Sequence, residues 1–245
     1  QWDSQGNATS DTLSGLGGGD SLFGGADNDS ILGGSGADTI DGGDGNDFAD
    51  GGTEADSIAG AAGNDTLLGD AGNDTVIGGD GTDSISGGTG NDALYGGDGA
   101  DSLLGGDGLD ALYGGAGADT MTGDAGADLL AGGDDNDLIA GGTGNDSIDG
   151  GFDDDSITGD EGDDTIIGAE GSDSISGGDG NDIAYGGYGP GVPDAVAAQA
   201  LERLLCVLLP VRLQKNGLNK NMVCKFAPIS VNWVKSIFRS SVGIV

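Results

Sequence analysis

The chain has 245 residues, of which 56 are Gly and 43 are Asp or Glu, while aromatics make up 4% and His is missing altogether. The Gly share is about three times the roughly 7% of an average protein, and the formal net charge is −36. A polyanion of this density excludes a nucleic-acid backbone as partner, since binding phosphates takes Lys and Arg to displace counterions. Without His, no Ser/His/Asp or Cys/His catalytic set can be assembled.

Residues 1–5 form a short lead-in. The chain starts at Gln1 with no Met and no basic-then-apolar leader, which reads as a processed or excised piece. From Gly6 to Tyr185 it divides into twenty nonapeptides without an insertion or deletion. High charge with few aromatics would ordinarily mean disorder, but a fixed period overrides composition. Position 1 is Gly and position 6 is Asp in all twenty repeats. Position 8 is a large aliphatic residue or Met in eighteen, with Ala49 and Ala184 as exceptions; position 2 is Gly in thirteen and position 4 in fifteen.

Positions 7 to 9 alternate polar, apolar, variable, which predicts a three-residue strand with one side chain pointing inward. The glycines at 1, 2 and 4 predict a tight six-residue turn with φ > 0. Asp27, Asp135 and Asp153 at position 4 tolerate that region; Glu54 and Thr9 fit it less well, which predicts distorted turns at 51–56 and 6–11. Two repeats make one coil. The fold predicted is an all-β, right-handed parallel β-roll, a solenoid of about ten two-repeat coils spaced about 4.8 Å apart.

Composition changes sharply near Tyr188–Pro193, separating the β-roll region, 6–189, from a tail, 190–245. All seven basic residues, both Cys and all four Pro lie in the tail, against 41 of the 43 acidic residues before it. Asp194 to Leu209 reads as a helix whose face is formed by Val196, Ala200, Leu201, Leu204, Leu205 and Leu208 and which Pro210 stops. Ile229 to Phe238 is apolar and reads equally as strand or helix. The tail is thus predicted to be short, mixed or helical. No apolar run reaches the eighteen or so residues of a membrane-spanning helix. Whether Cys206 and Cys224 pair is not legible from spacing.

The repeat resembles the RTX, or haemolysin-type, calcium-binding nonapeptide GGxGxDxUx, over residues 6–185. The resemblance implies turns of repeats i and i+2 stacked on one edge of the roll, with Ca²⁺ held between them by backbone carbonyls and position-6 carboxylates. Gly78–Asp83 would then share one ion with Gly60–Asp65 and another with Gly96–Asp101. The turn backbones implied around the metal include Gly78, Gly79, Gly81, Gly87, Gly88, Gly90, Gly96, Gly97, Gly99, Gly105, Gly106 and Gly108. Asp11 is set apart, because its turn lacks two glycines. The resemblance also implies a secreted or cell-surface protein exported by type I secretion with an uncleaved C-terminal signal. For the tail, three readings stand: that signal, a cap on the open end of the roll, or a frame-shifted or otherwise foreign stretch.

The residues point to the same ion without the family. Carboxylate and carbonyl oxygens are the only donors in the repeats, and hard oxygen in an irregular cage favours Ca²⁺ over Zn²⁺ or Cu²⁺, while Mg²⁺ demands a stricter octahedron. Of forty repeat-region carboxylates, twenty scatter as a solvated surface and twenty occupy one place in a Gly turn. The candidate ligands are Asp20, Asp29, Asp38, Asp47, Asp56, Asp65, Asp74, Asp83, Asp92, Asp101, Asp110, Asp119, Asp128, Asp137, Asp146, Asp155, Asp164, Asp173 and Asp182. One aliphatic side chain per repeat is little burial against the ordering of nine Gly-rich backbone units, so folding is expected to require the metal.

Outward at position 9, Ile77, Tyr95 and Tyr113 fall on successive coils and predict a ladder, either as plain cross-strand packing or as a stripe for a partner or a second roll. An ice-binding face would need regular rows of Thr and Asn, yet GGTGND turns occur only at 87–92 and 141–146. A uniform rod offers no cleft for paired-carboxylate chemistry, so the chain is expected not to be an enzyme. The function expected is a calcium-folded structural or secretion-folding module. The alternatives are an adhesin or filament stalk, or the C-terminal part of a secreted toxin or enzyme.

Overall fold

The structure, a computed structural model, describes residues 9–187. The expectations for residues 1–5 and 190–245, including the Asp194–Leu209 helix and Cys206 and Cys224, lie outside the described residues.

Twenty strands follow one another at nine-residue intervals, from β1 (Thr12–Gly17) and β2 (Ser21–Ala26) to β19 (Ser174–Asp179) and β20 (Ile183–Tyr185). Each pairs with the strand two along, never the next one. The odd-numbered strands form one ten-stranded sheet and the even-numbered strands another. All pairings are parallel and in step with the repeat: Tyr95 lies opposite Ile77 on one side and Tyr113 on the other. One coil is eighteen residues, and ten coils build an all-β parallel solenoid with no helix among the described residues.

Nineteen of the twenty strands are six residues long, not three; β20 alone has three. Ser84–Thr89 runs through positions 7, 8 and 9 and on through 1, 2 and 3 of the next repeat, and only positions 4 to 6 turn. The ladder survives the Gly-Gly pair because position 2 stacks on position 2 of the next coil, as Gly97 does on Gly115. Left-handed φ falls at positions 2 and 4, for example Gly79 at 119° and Gly81 at 139°, but not at position 1. Position-1 glycine is required for space instead. A Cβ on Gly105 would lie 2.7 Å from both Asp110 Oδ2 and the Gly123 carbonyl.

Glu54 also accepts a left-handed φ of 72°. Its carboxylate takes hydrogen bonds from the Gly36 N–H at 2.7 Å and the Thr53 hydroxyl at 2.8 Å. The turn therefore keeps the common path, with Asp56 buried beneath it. The predicted distortion at 51–56 does not occur, because the longer carboxylate supplies its own anchor. The turn at 6–11 lies partly outside the described residues.

Inside each strand, positions 8 and 1 face the core, as Ile85 and Gly87 do. Sixteen position-8 side chains from Ile31 to Ile166, Met121 and Ala49 among them, are at most 2% exposed. Leu13, Leu22 and Ile175 in the end coils are only partly buried. Outside, the Tyr95 and Tyr113 rings stack at 5.0 Å and 7°, which with Ile77 in register completes the expected ladder.

Candidate metal centre

Position 6 closes the turn, and its side chain points inward over the bare position-1 glycine of the same repeat. The interior therefore holds sixteen aspartates, Asp29 to Asp164, at 1–4% exposed, beside sixteen apolar side chains. Of the candidates, Asp20, Asp173 and Asp182 in the end coils are only half-buried. A solvated acidic surface would not look like this. Position-6 carboxylates are drawn into the rod, whereas most of those at other positions, such as Asp107 and Asp98, stay exposed.

The two oxygens of each carboxylate have different surroundings. Oδ1 accepts the backbone N–H of the position-6 aspartate one coil earlier: Asp83 N–H to Asp101 Oδ1 at 2.7 Å, and Asp101 N–H to Asp119 Oδ1 at 2.8 Å. This bond runs along both edges, from Asp11 N–H to Asp173 Oδ1 on one and from Asp20 N–H to Asp182 Oδ1 on the other. The aspartate carbonyl meanwhile accepts the position-7 N–H of the next coil, as Asp83 does from Ser102 at 2.8 Å. Oδ2 has no such partner. Eighteen Oδ2 atoms, from Asp20 to Asp173, are buried without a hydrogen bond. Most interior ones share their glycine with a main-chain carbonyl, as Asp110 Oδ2 and the Gly123 carbonyl do beside Gly105.

Buried carboxylates without a compensating charge resist ionisation. Burial lifts Asp65, Asp74, Asp119, Asp128 and Asp155 from 3.8 to about 6, opposed by the backbone N–H and reinforced by neighbouring position-6 carboxylates. Asp137, raised first by burial and further by the charges of Asp119, Asp155 and Asp135, reaches about 7. Asp101 moves the same way, through burial and then the charge of Asp83. Each column wants positive charge, and no Lys or Arg occurs before residue 190 to supply it.

The donors fit calcium. They are anionic or carbonyl oxygen only, and the orphaned Oδ2 atoms mark where a cation is needed. Among the described residues no three His, Cys, Asp or Glu side chains converge as a metal cluster. Main-chain oxygen would have to complete the shell, as the resemblance implies. The position-3 carbonyls are partly engaged: Asp107 O accepts the Gly90 N–H at 2.8 Å and keeps one lone pair.

An acidic parallel solenoid with buried, half-satisfied carboxylate columns defines a class of metal-binding repeat proteins. The RTX calcium-binding nonapeptide repeat matches in overlapping segments, 5–40, 41–76, 77–112, 95–130, 104–139, 131–166 and 158–189, and the chain belongs to that family. A search of the curated proteins gives no match. Calcium is the ion the family binds, and the fold is a calcium-binding β-roll. No described helix is long and apolar enough to cross a membrane.

Two features escaped the reading of the sequence. One is the spatial role of position-1 glycine, whose invariance, against thirteen of twenty at position 2, was the signal. The other is position 5, where Asn side chains bond the next turn: Asn64 N–H to Asn46 Oδ1 at 2.9 Å and Asn91 N–H to Asn73 Oδ1 at 2.8 Å.

Proposed function

We propose that the roll is a folding module that stays unfolded at low calcium and folds on meeting calcium outside the cell, with the position-6 aspartates as carboxylate ligands and no catalytic role. The observation that carries this is the set of eighteen buried Oδ2 atoms without partners. Bound calcium would supply the positive charge that both carboxylate columns lack. The chain's own groups do the rest. Oδ1 holds the turn above, Oδ2 and the turn carbonyls face the site, and position-1 glycine leaves the room. Because each coil touches only its neighbours, ordering spreads along the rod.

An extracellular setting is supported by family membership, and the affinity expected there is that of extracellular calcium modules, on the order of 10⁻⁴–10⁻³ M. The outward ladder of exposed Ile77 and Tyr95 and half-buried Tyr113 favours a second reading alongside this one, a stalk that touches a partner or a sister roll. The test is a calcium titration followed by circular dichroism and small-angle scattering. A compact, β-rich particle should form only in millimolar calcium; the same particle in EDTA would overturn the coupling. Truncation after Gly189 separates the readings of the tail. A cap predicts a higher calcium midpoint, whereas a secretion signal or a foreign stretch predicts none.

A further inference from the structure

The position-5 side chains sit at the exposed tips of the turns, opposite the buried aspartates, and they bond in the reverse direction. Asp83 N–H donates to Asp101 Oδ1 in the following coil, whereas Thr82 N–H donates to Asn64 Oδ1 in the preceding one. Where both exist, adjacent turns are clasped on the inner and the outer side. The outer clasp is not continuous. On one edge it joins Asn28, Asn46, Asn64 and Thr82, then stops until Asn136, Asp154 and Ser172. On the other it joins Asn73, Asn91 and Leu109, then stops until Asn145, Asp163 and Asn181.

The two gaps overlap in one coil. Residues 114–131 carry Ala118 and Ala127 at the turn tips. Neither side chain can accept a bond, and the residues one coil before them, Ala100 and Leu109, offer no acceptor either. Residues 78–95 and 150–167, by contrast, are clasped on both edges through Thr82 and Asn91, and through Asp154 and Asp163. One of its two turns also has a long bond, Gly117 N–H to Asp134 O at 3.1 Å, where the two preceding turns on that edge hold 2.8 and 2.6 Å; the other turn, Gly126 N–H to Thr143 O, stays at 2.8 Å. Its two core positions are Leu130 and Met121, the latter the most flexible side chain in the apolar column.

We propose that the position-5 side chains are positioning residues for calcium: they hold the turn in shape before the ion arrives, and coil 114–131, which has none, is the last to fill and the first to open. The rod would then respond to falling calcium as two blocks with a joint between them. This rests on the reading of the position-6 aspartates as ligands. The physical reason is entropy. A Gly-rich turn free at its tip samples many conformations that calcium must suppress, and a turn clasped through its position-5 N–H has already lost part of that freedom.

The experiment is hydrogen exchange with mass spectrometry on the full chain at stepped free calcium. Peptides covering 114–131 should become protected at calcium roughly three- to ten-fold higher than those covering 78–95 or 150–167, the range that one net hydrogen bond corresponds to. Ala100→Asn combined with Leu109→Asn, both at exposed tips, places acceptors for the Ala118 and Ala127 N–H groups and should bring 114–131 down to its neighbours. Asn64→Ala should raise the midpoint of the 78–83 turn, and Asn64→Asp should restore it, as Asp154 and Asp163 already serve as acceptors. The number of ions bound at saturation should not change in any of these variants, which separates a positioning role from a ligand role. Equal midpoints for the three coils, or an Asn pair that leaves 114–131 unmoved, would overturn the proposal while leaving calcium binding intact. Absence of calcium-dependent protection anywhere would instead overturn the reading on which it rests.

Discussion

The inner coils and the end coils have the same sequence pattern and different physics. Between Ile31 and Ile166 every position-8 side chain is at most 2% exposed, and every position-6 aspartate from 29 to 164 at most 4%. One coil further out, Leu13, Leu22 and Ile175 are partly buried, Ala184 is exposed, and Ile183 and Tyr185 are each 51% exposed. The inner carboxylates accept their N–H at 2.7 Å on Asp101 and 2.8 Å on Asp119, whereas Asp173 and Asp182 accept at 3.2 and 3.1 Å. A nonapeptide thus has no environment of its own. Burial, and with it the demand for a counter-charge, comes from having a coil on both sides.

The substitution that strains this contrast most is Asp101→Asn set against Asp182→Asn. An amide keeps an acceptor for the Asp83 N–H but removes the charge at Oδ2, so it splits the two roles of the side chain. With each ion shared between turns, Asp101→Asn should lose two ions at saturation and raise the calcium midpoint, while the metal-free chain becomes no less stable, since a buried charge has gone. Asp182→Asn, in the last coil, should lose at most one ion and shift the midpoint little. Native mass spectrometry counts the ions. Equal losses from both positions would mean that the inner coils are not special.

Proton concentration should act on the inner coils. The folded values of about 6 for Asp65, Asp74, Asp119, Asp128 and Asp155 and about 7 for Asp137 lie above the ordinary 3.8. A carboxyl raised on folding contributes stability that is fully present below about pH 4 and is lost as pH rises through the folded value. In EDTA, β-structure should therefore appear on acidification from pH 7.5 to 4. In calcium the sign reverses: protons compete for the same oxygens, and the midpoint should rise as pH falls below 7. Circular dichroism across that range checks both. A metal-free chain indifferent to pH would contradict the burial of the carboxylates.

Space gives a third contrast. Gly105→Ala puts a methyl against Asp110 Oδ2 and the Gly123 carbonyl, whereas a Cβ on Gly186 meets nothing within 4 Å. The first should cost about 1–3 kcal/mol as overpacking, and the second should stay within about 0.5 kcal/mol. Chemical denaturation in saturating calcium measures the difference.

Much of this was legible in the sequence. The strict period fixed the coil, the two-sheet topology and the sixteen-residue aliphatic column, because in a parallel solenoid equivalent residues must stack. The ladder of Ile77, Tyr95 and Tyr113 followed from the same arithmetic. Strand length was not legible. Gly-Gly normally ends a strand, yet here coils above and below pair its backbone. Nor was the division of labour within one carboxylate, which depends on a neighbour eighteen residues away. Glu54 misled for a local reason: its longer side chain reaches the Gly36 N–H and steadies a turn its residue type would otherwise disfavour.

The smallest effect expected is also a strict control on the assignment of ligands. Asp107 stands three residues before Asp110 and carries the same charge, but at position 3 its side chain faces solvent. What it gives to the interior is its main chain, whose carbonyl accepts the Gly90 N–H at 2.8 Å. Asp107→Ala leaves that carbonyl in place and removes one exposed charge from a rod that carries many. The cost should be a few tenths of a kcal/mol, in the range about ±0.5 typical of surface substitutions, with the number of bound ions unchanged. Relief of repulsion between exposed carboxylates would be screened by salt, so the small shift should shrink further at higher ionic strength. Were the acidic side chains a diffuse counter-ion cloud, Asp107→Ala and Asp101→Ala would remove one charge each and behave alike. The geometry predicts otherwise, because Asp101→Ala also strips the Asp83 N–H of its acceptor and takes away a buried Oδ2. Matching ion counts and matching calcium midpoints for the two alanine variants would show that position in the turn does not matter, and the ligand assignment would fall with it.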